Sequence, residues 1–409
     1  MQYREYDPKR DRDAVHRIWR EAGWLEKGKE ELADMHLTCG RLLVAEVGGQ
    51  AECLVSSAPG VMRYVEEDLA FAGCTGVATG RVARKQGLAK RLLARLIAAD
   101  AADGALVVGL GMFEQGFYDR VGYGTGGYEH SLSFDPSTLR VDRRARPPRR
   151  LGAEDAELVH ACRLARLRGH GGLNFHATAM TAPEVRWSEK AFGLGYCDGP
   201  SGELTHHVWI TVDDIESGPY RVAWMAYRDY GQLLELLALV KSRGDQVRLV
   251  TMQEPQGIQL QDLLDRPFKH RQITEKSKFE SRARAEAYWQ MRICDVAKCL
   301  AETHLRGEEA RFNLRLSDPI AELLGEELSW RGVGGEYVVT LGPSSGAEVG
   351  RDPGLSTLTA SVNAFTRLWL GVRPATGLAV TDELSGPPAL LEELDWLLRL
   401  PDPKPDWDY

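Results

Sequence analysis

The chain has 409 residues, too many for one ordinary core, so two or three domains are expected. Its composition, 43% hydrophobic and 27% charged, is that of a soluble globular protein. A formal net charge of −8 argues against a nucleic-acid binder, which needs a basic face, and suits a cationic substrate. The N-terminus, Met-Gln-Tyr-Arg-Glu-Tyr-Asp, has no apolar signal region, and no apolar run approaches the ~18 residues of a membrane span. Seven scattered cysteines, mostly in apolar contexts, read as free buried thiols in a reducing cytoplasm. Cys294 and Cys299 lack a second pair, and His206 and His207 would point to opposite faces of a strand, so no metal site is expected.

Residues 1–142 alternate strands and helices. Arg4 to Tyr6 begins a strand, and Arg12 to Ala22 reads as a helix with Ala14, Val15, Ile18 and Trp19 on one face. Arg41 to Val47 is a strand that turns at Gly48-Gly49 and returns antiparallel from Ala51 to Ser56. A strand over Cys74 to Thr79, a basic loop Arg84-Lys-Gln-Gly-Leu-Ala89 and a helix from Leu88 to Ile97 follow. Then come an apolar strand, Ala105 to Leu110, and a short helix from Gln115 to Val121 that stops at Gly122. Tyr128 to Phe134 alternates and is expected to close this unit. The stretch Arg143-Arg-Ala-Arg-Pro-Pro-Arg-Arg150 reads as a solvated linker.

Residues 143–290 repeat the plan in degraded form. Ala153 to Leu167 and Gly231 to Ser242 read as helices; His207 to Val212, Tyr220 to Tyr227 and Gln246 to Thr251 read as strands. The segment before the second of these helices, Tyr227-Arg-Asp-Tyr-Gly-Gln, has no counterpart of the Arg84 to Ala89 loop. Residues 291–409 differ in texture. They open Met291-Arg-Ile-Cys-Asp-Val296, with a helix from Asp295 to Ala301, strands over Ala310 to Leu316 and Gly335 to Leu341, and helices over Ser356 to Trp369 and Ala389 to Leu398. The last nine residues, Pro401 to Tyr409, hold three prolines and should be extended and stiff.

The Arg84 to Ala89 loop carries the chemistry. A helix's first turn has amides without internal partners and a partial positive charge, and Gly87 allows a ligand to approach the backbone. Together they make a phosphate cradle, although a single glycine fits neither the Walker nor the dinucleotide pattern. Val77 and Thr79 point to one face of the preceding strand and can pair through their backbones with an extended ligand arm. Tyr118, in Gly116-Phe-Tyr-Asp-Arg-Val-Gly-Tyr-Gly124, is a phenol that stays protonated at neutral pH and can serve as an acid, with Tyr123 as a less favoured rival. No histidine or glutamate is well spaced for a base. The tail offers one: the α-carboxylate of Tyr409, flanked by Asp406 and Asp408 and by aromatics that favour burial.

Arg/Gln-x-x-Gly-x-Gly/Ala at a strand-to-helix turn looks like the acetyl-CoA loop of GNAT acyltransferases. Taken with Phe117-Tyr-Asp-Arg-Val-Gly-Tyr-Gly124, the second half without a loop and a third segment opening Met291-Arg-Ile-x-Asp295 and ending in an aromatic residue, the chain resembles the enhanced intracellular survival (Eis)-like N-acetyltransferases along its whole length. The resemblance implies a mixed α+β fold: a GNAT domain over 1–142, a second GNAT-like domain over 143–290 and a sterol carrier protein-like domain over 291–409. It implies acetyl-CoA as cofactor, held by Val77, Ala78, Thr79 and Arg84, Lys85, Gln86, Gly87, Leu88 and Ala89. It further implies Tyr118 as general acid, the Tyr409 carboxylate as base, and a trimer or hexamer. Trp24, Asp406 and Asp408 are the expected substrate contacts. Lys85 replaces an arginine common in the family and can still bind phosphate as a point charge. The expected function is acetylation of primary amines on aminoglycoside- or polyamine-like small molecules by direct transfer in a ternary complex, with no nucleophilic cysteine near the motifs. The rivals are a protein lysine acetyltransferase and a non-enzymatic protein whose third domain holds an apolar ligand.

Overall fold

The computed structural model describes residues 2–112 and 114–408. Among these, the strands form three sheets, and the chain divides into two compact units. One unit is discontinuous and comprises residues 1–127, 169–177 and 287–409; the other comprises 128–168 and 178–286.

The first sheet of the discontinuous unit starts with β1 (Gln2–Glu5), β2 (Arg41–Val47), β3 (Gln50–Tyr64), β4 (Glu67–Thr79) and β5 (Val107–Gly111) side by side. Strand Trp289–Ile293 pairs antiparallel with β5 and carries β6 (Gly124–Thr125) on its other edge. Alternation along β2 to β4 builds two cores. Leu42, Val44, Leu54 and Ala78 meet Val15, Ile18 and Trp19 of α1 (Pro8–Ala22) on one face. Leu43, Ala45, Cys53, Val55, Ala72 and Cys74 meet Leu92, Leu93 and Leu96 of α3 (Leu88–Ala102) on the other. The short α2 (Glu30–Leu37) adds Ala33 and Leu37 to the α1 side. A third sheet, ordered 346–349, 335–341, 310–317, 357–361, 384–385, belongs to the same unit.

The other unit holds a seven-stranded sheet ordered 282–286, 129–134, 250–253, 220–226, 206–212, 191–196, 149–151. Strand Glu129–Phe134 therefore does not close the first sheet, as its alternation suggested. It pairs with Val250–Gln253 and Arg282–Glu286, because Leu132 and Phe134 pack into the second unit's core with Val250 and Met252. Ser356 to Trp369 is likewise not one helix: Thr357–Ser361 is a strand parallel to Ala310–Ser317, and the helix begins at Val362, where the Ser361 side chain caps the Ala364 amide. Among the described residues no helix is long and apolar enough to cross a membrane.

Candidate active site

β4 and β5 run parallel from Phe71↔Val107 to Cys74↔Leu110, and there the pairing ends. β5 continues against Trp289, while β4 continues against β3 as far as Thr79. At the point of divergence β4 bulges: Ser57 faces Cys74 and Ser56 faces Gly76, which leaves Thr75 as the extra residue. Beyond it the edge of β4 turned toward β5 has no strand on it among the described residues. The Gly80 amide donates to the Glu52 carbonyl at 2.7 Å, so Gly80 and, by alternation, Ala78 direct their backbone groups to β3. Val77 and Thr79 direct theirs to the open edge. Ala78 is thus turned away from that edge, with its side chain in the α1 core.

The loop after β4 is built to present amides. Lys85 holds φ 60 and Gly87 holds φ 77, two left-handed residues separated by Gln86. Gly87 is the N-cap of α3, and no side chain caps the first turn. A Cβ on Gly87 would meet nothing within 4 Å, so the space before these amides is open. Arg84, Lys85, Gln86 and Gly87 are exposed, while Leu88 is buried and anchors the helix through the α3 core. Uncapped amides, the dipole and two cations fit a pyrophosphate.

Tyr118 is 2% exposed and begins a four-residue 3-10 helix, Tyr118–Val121. Its ring meets Phe117 edge to face at 5.0 Å and Tyr123 at 6.2 Å. Burial pushes the phenol above its ordinary value, and the neighbouring Cys74 and Glu114 add to the rise. Tyr118 shares its buried core with Cys74, the last residue of β4 to pair with β5. Cys74 does lie in this core, but burial pushes its thiol up to about 12, so it stays protonated and is not the nucleophilic form.

On the opposite face, Trp24 is 38% exposed and meets Trp19 edge to face at 6.0 Å. His36 stands 5.9 Å from Trp19, with Nε2 3.5 Å from the carbonyl of the bulged Thr75. Burial lowers the His36 pKa, so this imidazole is neutral at pH 7. Neither His36 nor Thr75 was singled out from sequence: α2 has no strong apolar periodicity, and a bulge is a property of two strands.

The tail, 401–408, has no helix or strand and is docked. The Lys404 amide donates to the His170 carbonyl at 2.9 Å, and the Leu173 amide donates to the Pro405 carbonyl at 2.8 Å. Trp407 is 3% exposed and meets Phe175 at 5.6 Å; Phe175 in turn meets Phe71 of β4 at 6.0 Å. Tyr288 donates its hydroxyl to Asp408 Oδ1 at 2.7 Å, and its carbonyl accepts from the Met112 amide, just past β5, at 2.6 Å. Asp406 and Asp408 are exposed. Tyr409 lies outside the described residues.

Two other features stand apart from this arrangement. A cavity of about 620 Å³ opens at Ala70–Ala72, the other half of β4, where Arg41 pairs with Asp100 and Asp103. In the second unit Asp198, His206 and Glu235 cluster, but Arg146 bridges both carboxylates and satisfies them.

Residues 2–126 match the family model of the GNAT acetyltransferase domain. This part of the chain is a GNAT acetyltransferase domain, and acetyl-CoA is the cofactor that such domains use. The reading as a non-enzymatic binding protein is thereby set aside. The fold of the whole chain is shared with Eis1 from Mycobacterium abscessus, at 15% identity, 100% coverage of both chains and a TM-score of 0.77. It is similar, too, to a GCN5-related N-acetyltransferase from Anabaena variabilis, at 15% identity, 100% coverage of both chains and a TM-score of 0.78. Another such enzyme, from Kribbella flavida, is 19% identical, covers 100% of this chain and 98% of its own, and gives a TM-score of 0.74. No curated protein matches the sequence.

Proposed function

We propose that the protein acetylates a primary amine on an aminoglycoside- or polyamine-like small molecule, by direct attack in a ternary complex. The observation that carries this reading is Tyr118, buried in one core with Cys74, the residue at which β4 and β5 part. Acetyl-CoA, when bound, supplies the acetyl group as a thioester. Arg84, Lys85 and the amides from Gln86 to Ala89 hold its pyrophosphate, and Val77 and Thr79 offer backbone groups to its arm. Tyr118 keeps a proton on its hydroxyl for the departing thiolate, since burial disfavours the phenolate. The Tyr409 carboxylate takes the amine proton, and Asp406, Asp408 and Trp24 attract and orient the cation. The neutral Cys74 thiol favours direct transfer over a covalent intermediate.

A thiol-release assay with acetyl-CoA against aminoglycosides, polyamines and lysine peptides tests the acceptor class; turnover confined to the peptides would favour the lysine-acetyltransferase reading. Tyr118→Phe should lower kcat by about 10²–10⁴-fold with acetyl-CoA affinity unchanged. Equal turnover in that variant would falsify the acid assignment. One residue added after Tyr409 should depress kcat, and an unchanged rate would remove the terminal carboxylate from the mechanism. The resemblance also carries a trimer or hexamer, which sedimentation equilibrium reads directly.

A further inference from the structure

The helix that carries Tyr118 has four residues, too few to hold itself by its own hydrogen bonds. It is gripped by side chains from far along the chain. Gln290, 0% exposed, donates its amide to Asp119 Oδ1 at 2.7 Å and to Thr125 Oγ1 at 2.9 Å. Asn363 donates both to the Asp119 carbonyl at 2.9 Å and to the Tyr123 carbonyl at 2.7 Å. Arg292, also 0% exposed, donates through Nη1 to the Val121 carbonyl at 2.8 Å. Its guanidinium is fixed by a two-point ion pair with Asp318, which also accepts from the amides of Ile320 at 3.1 Å and Val333 at 2.8 Å. The carbonyls of residues 119, 121 and 123 are thus all taken by this clamp.

The glycines of Gly122-Tyr-Gly124 are the other half of the arrangement. A Cβ on Gly122 would overlap the Arg292 guanidinium, and one on Gly124 would overlap the Asn363 carbonyl. Glycine at these positions is what lets the clamp close on the backbone. Two motifs with no evident link in sequence, Met291-Arg-Ile-Cys-Asp and Val121-Gly-Tyr-Gly, are therefore halves of one contact.

We infer that Gln290, Arg292 and Asn363 are positioning residues that fix the short helix and, through it, the hydroxyl of Tyr118. The inference rests on the reading of Tyr118 as the acid. Misplacing a reacting group by about 1 Å costs on the order of 10²-fold in rate, so a donor on one loose turn needs outside support.

Full-length Asn363→Ala and Gln290→Leu test this, measured with Tyr118→Phe and the double variant Tyr118→Phe/Asn363→Ala. Asn363→Ala and Gln290→Leu should each lower kcat about tenfold or more, with the KM for acetyl-CoA within about twofold and the circular dichroism spectrum unchanged. The double variant should be no slower than Tyr118→Phe alone, because the clamp acts only through the phenol. Wild-type kcat in folded Asn363→Ala and Gln290→Leu overturns the inference, as do additive losses in the double variant. Failure of both single variants to fold makes the clamp purely structural and overturns it as well. Wild-type turnover in Tyr118→Phe removes the acid and the inference together, whereas a slow Tyr118→Phe beside a fast Asn363→Ala removes the inference alone.

Discussion

Gly87 joins backbone geometry to cofactor affinity more directly than any other loop residue. Its φ of 77 is one that an L side chain adopts at a cost of roughly 1–2 kcal/mol. The open space around it means that alanine would clash with nothing, so the cost of substitution is conformational alone. Gly87→Ala should raise the KM for acetyl-CoA by up to about five- to thirtyfold and leave kcat close to wild type. Gly87→Asn, which tolerates the left-handed region better, should fall between the two. An unchanged KM in Gly87→Ala would mean that the turn does not present its amides to the cofactor. This residue was legible in the sequence because glycine before a basic helix start has a local meaning. Tyr118 was legible for the same reason, as part of a contiguous run. Cys74, Thr75 and His36 were not: what makes them neighbours of the site is the parting of two strands and the packing of α2, neither of which is written in local spacing.

Strands were harder to delimit than helices, and the reasons are specific. β3 extends to Tyr64, past the Ser56 at which the sequence reading ends it and through Pro59. The proline is tolerated because β2 pairs only up to Ser57 and strand Leu173–Phe175 begins at Gly60, so Pro59 falls in the gap between the two partners. Strand His206–Val212 of the second unit does show the expected divergence of its adjacent histidines. His206 meets Glu235 at 3.3 Å, while His207 accepts from the Trp224 indole at 3.1 Å and lies 3.3 Å from Cys162. Burial pushes His207 down to about 3, below its ordinary value of 6.5. A depressed folded pKa on a base means that the unfolded chain binds the proton first. The stability contributed is complete above about pH 6.5 and is lost as pH falls toward 3. Between pH 6.5 and 5 the loss is about 2 kcal/mol. The buried Asp100 of the other unit, raised to about 6, acts in the opposite sense, since its contribution is lost as pH rises through that value. His207→Gln isolates the histidine: its melting temperature should start lower at pH 7 than that of the wild type and change less on going to pH 5. Parallel pH curves for the two proteins would contradict the assignment.

At the scale of the molecule, the boundary at residue 142 suggested by the linker does not coincide with the outline of the first compact unit. Its sheet draws on residues 2–125, but β5 finds its outer partner in Trp289–Ile293, and β6 has that strand as its neighbour. The loss of that strand would expose an edge of β5 made of Val107, Val108 and Leu110, all at most 2% exposed in the intact fold. It would also remove Gln290 and Arg292 from the Tyr118 helix, and a chain cut at residue 142 would further lack Trp369, on which Tyr64 stacks with the rings 4.3 Å apart. Sequence periodicity found β5 but neither β6 nor Trp289–Ile293, nor their order, because a pairing across more than a hundred residues leaves no mark on local alternation. The consequence is testable without any substitution. A fragment of residues 1–142 contains the whole cofactor loop and Tyr118, yet should be recovered as aggregate or as a chain without a cooperative melting transition. The full chain should melt cooperatively and bind acetyl-CoA in isothermal titration. Binding by the fragment at the full chain's affinity would show that the first sheet closes without its distant strand, and that residues 289–293 add nothing to the site.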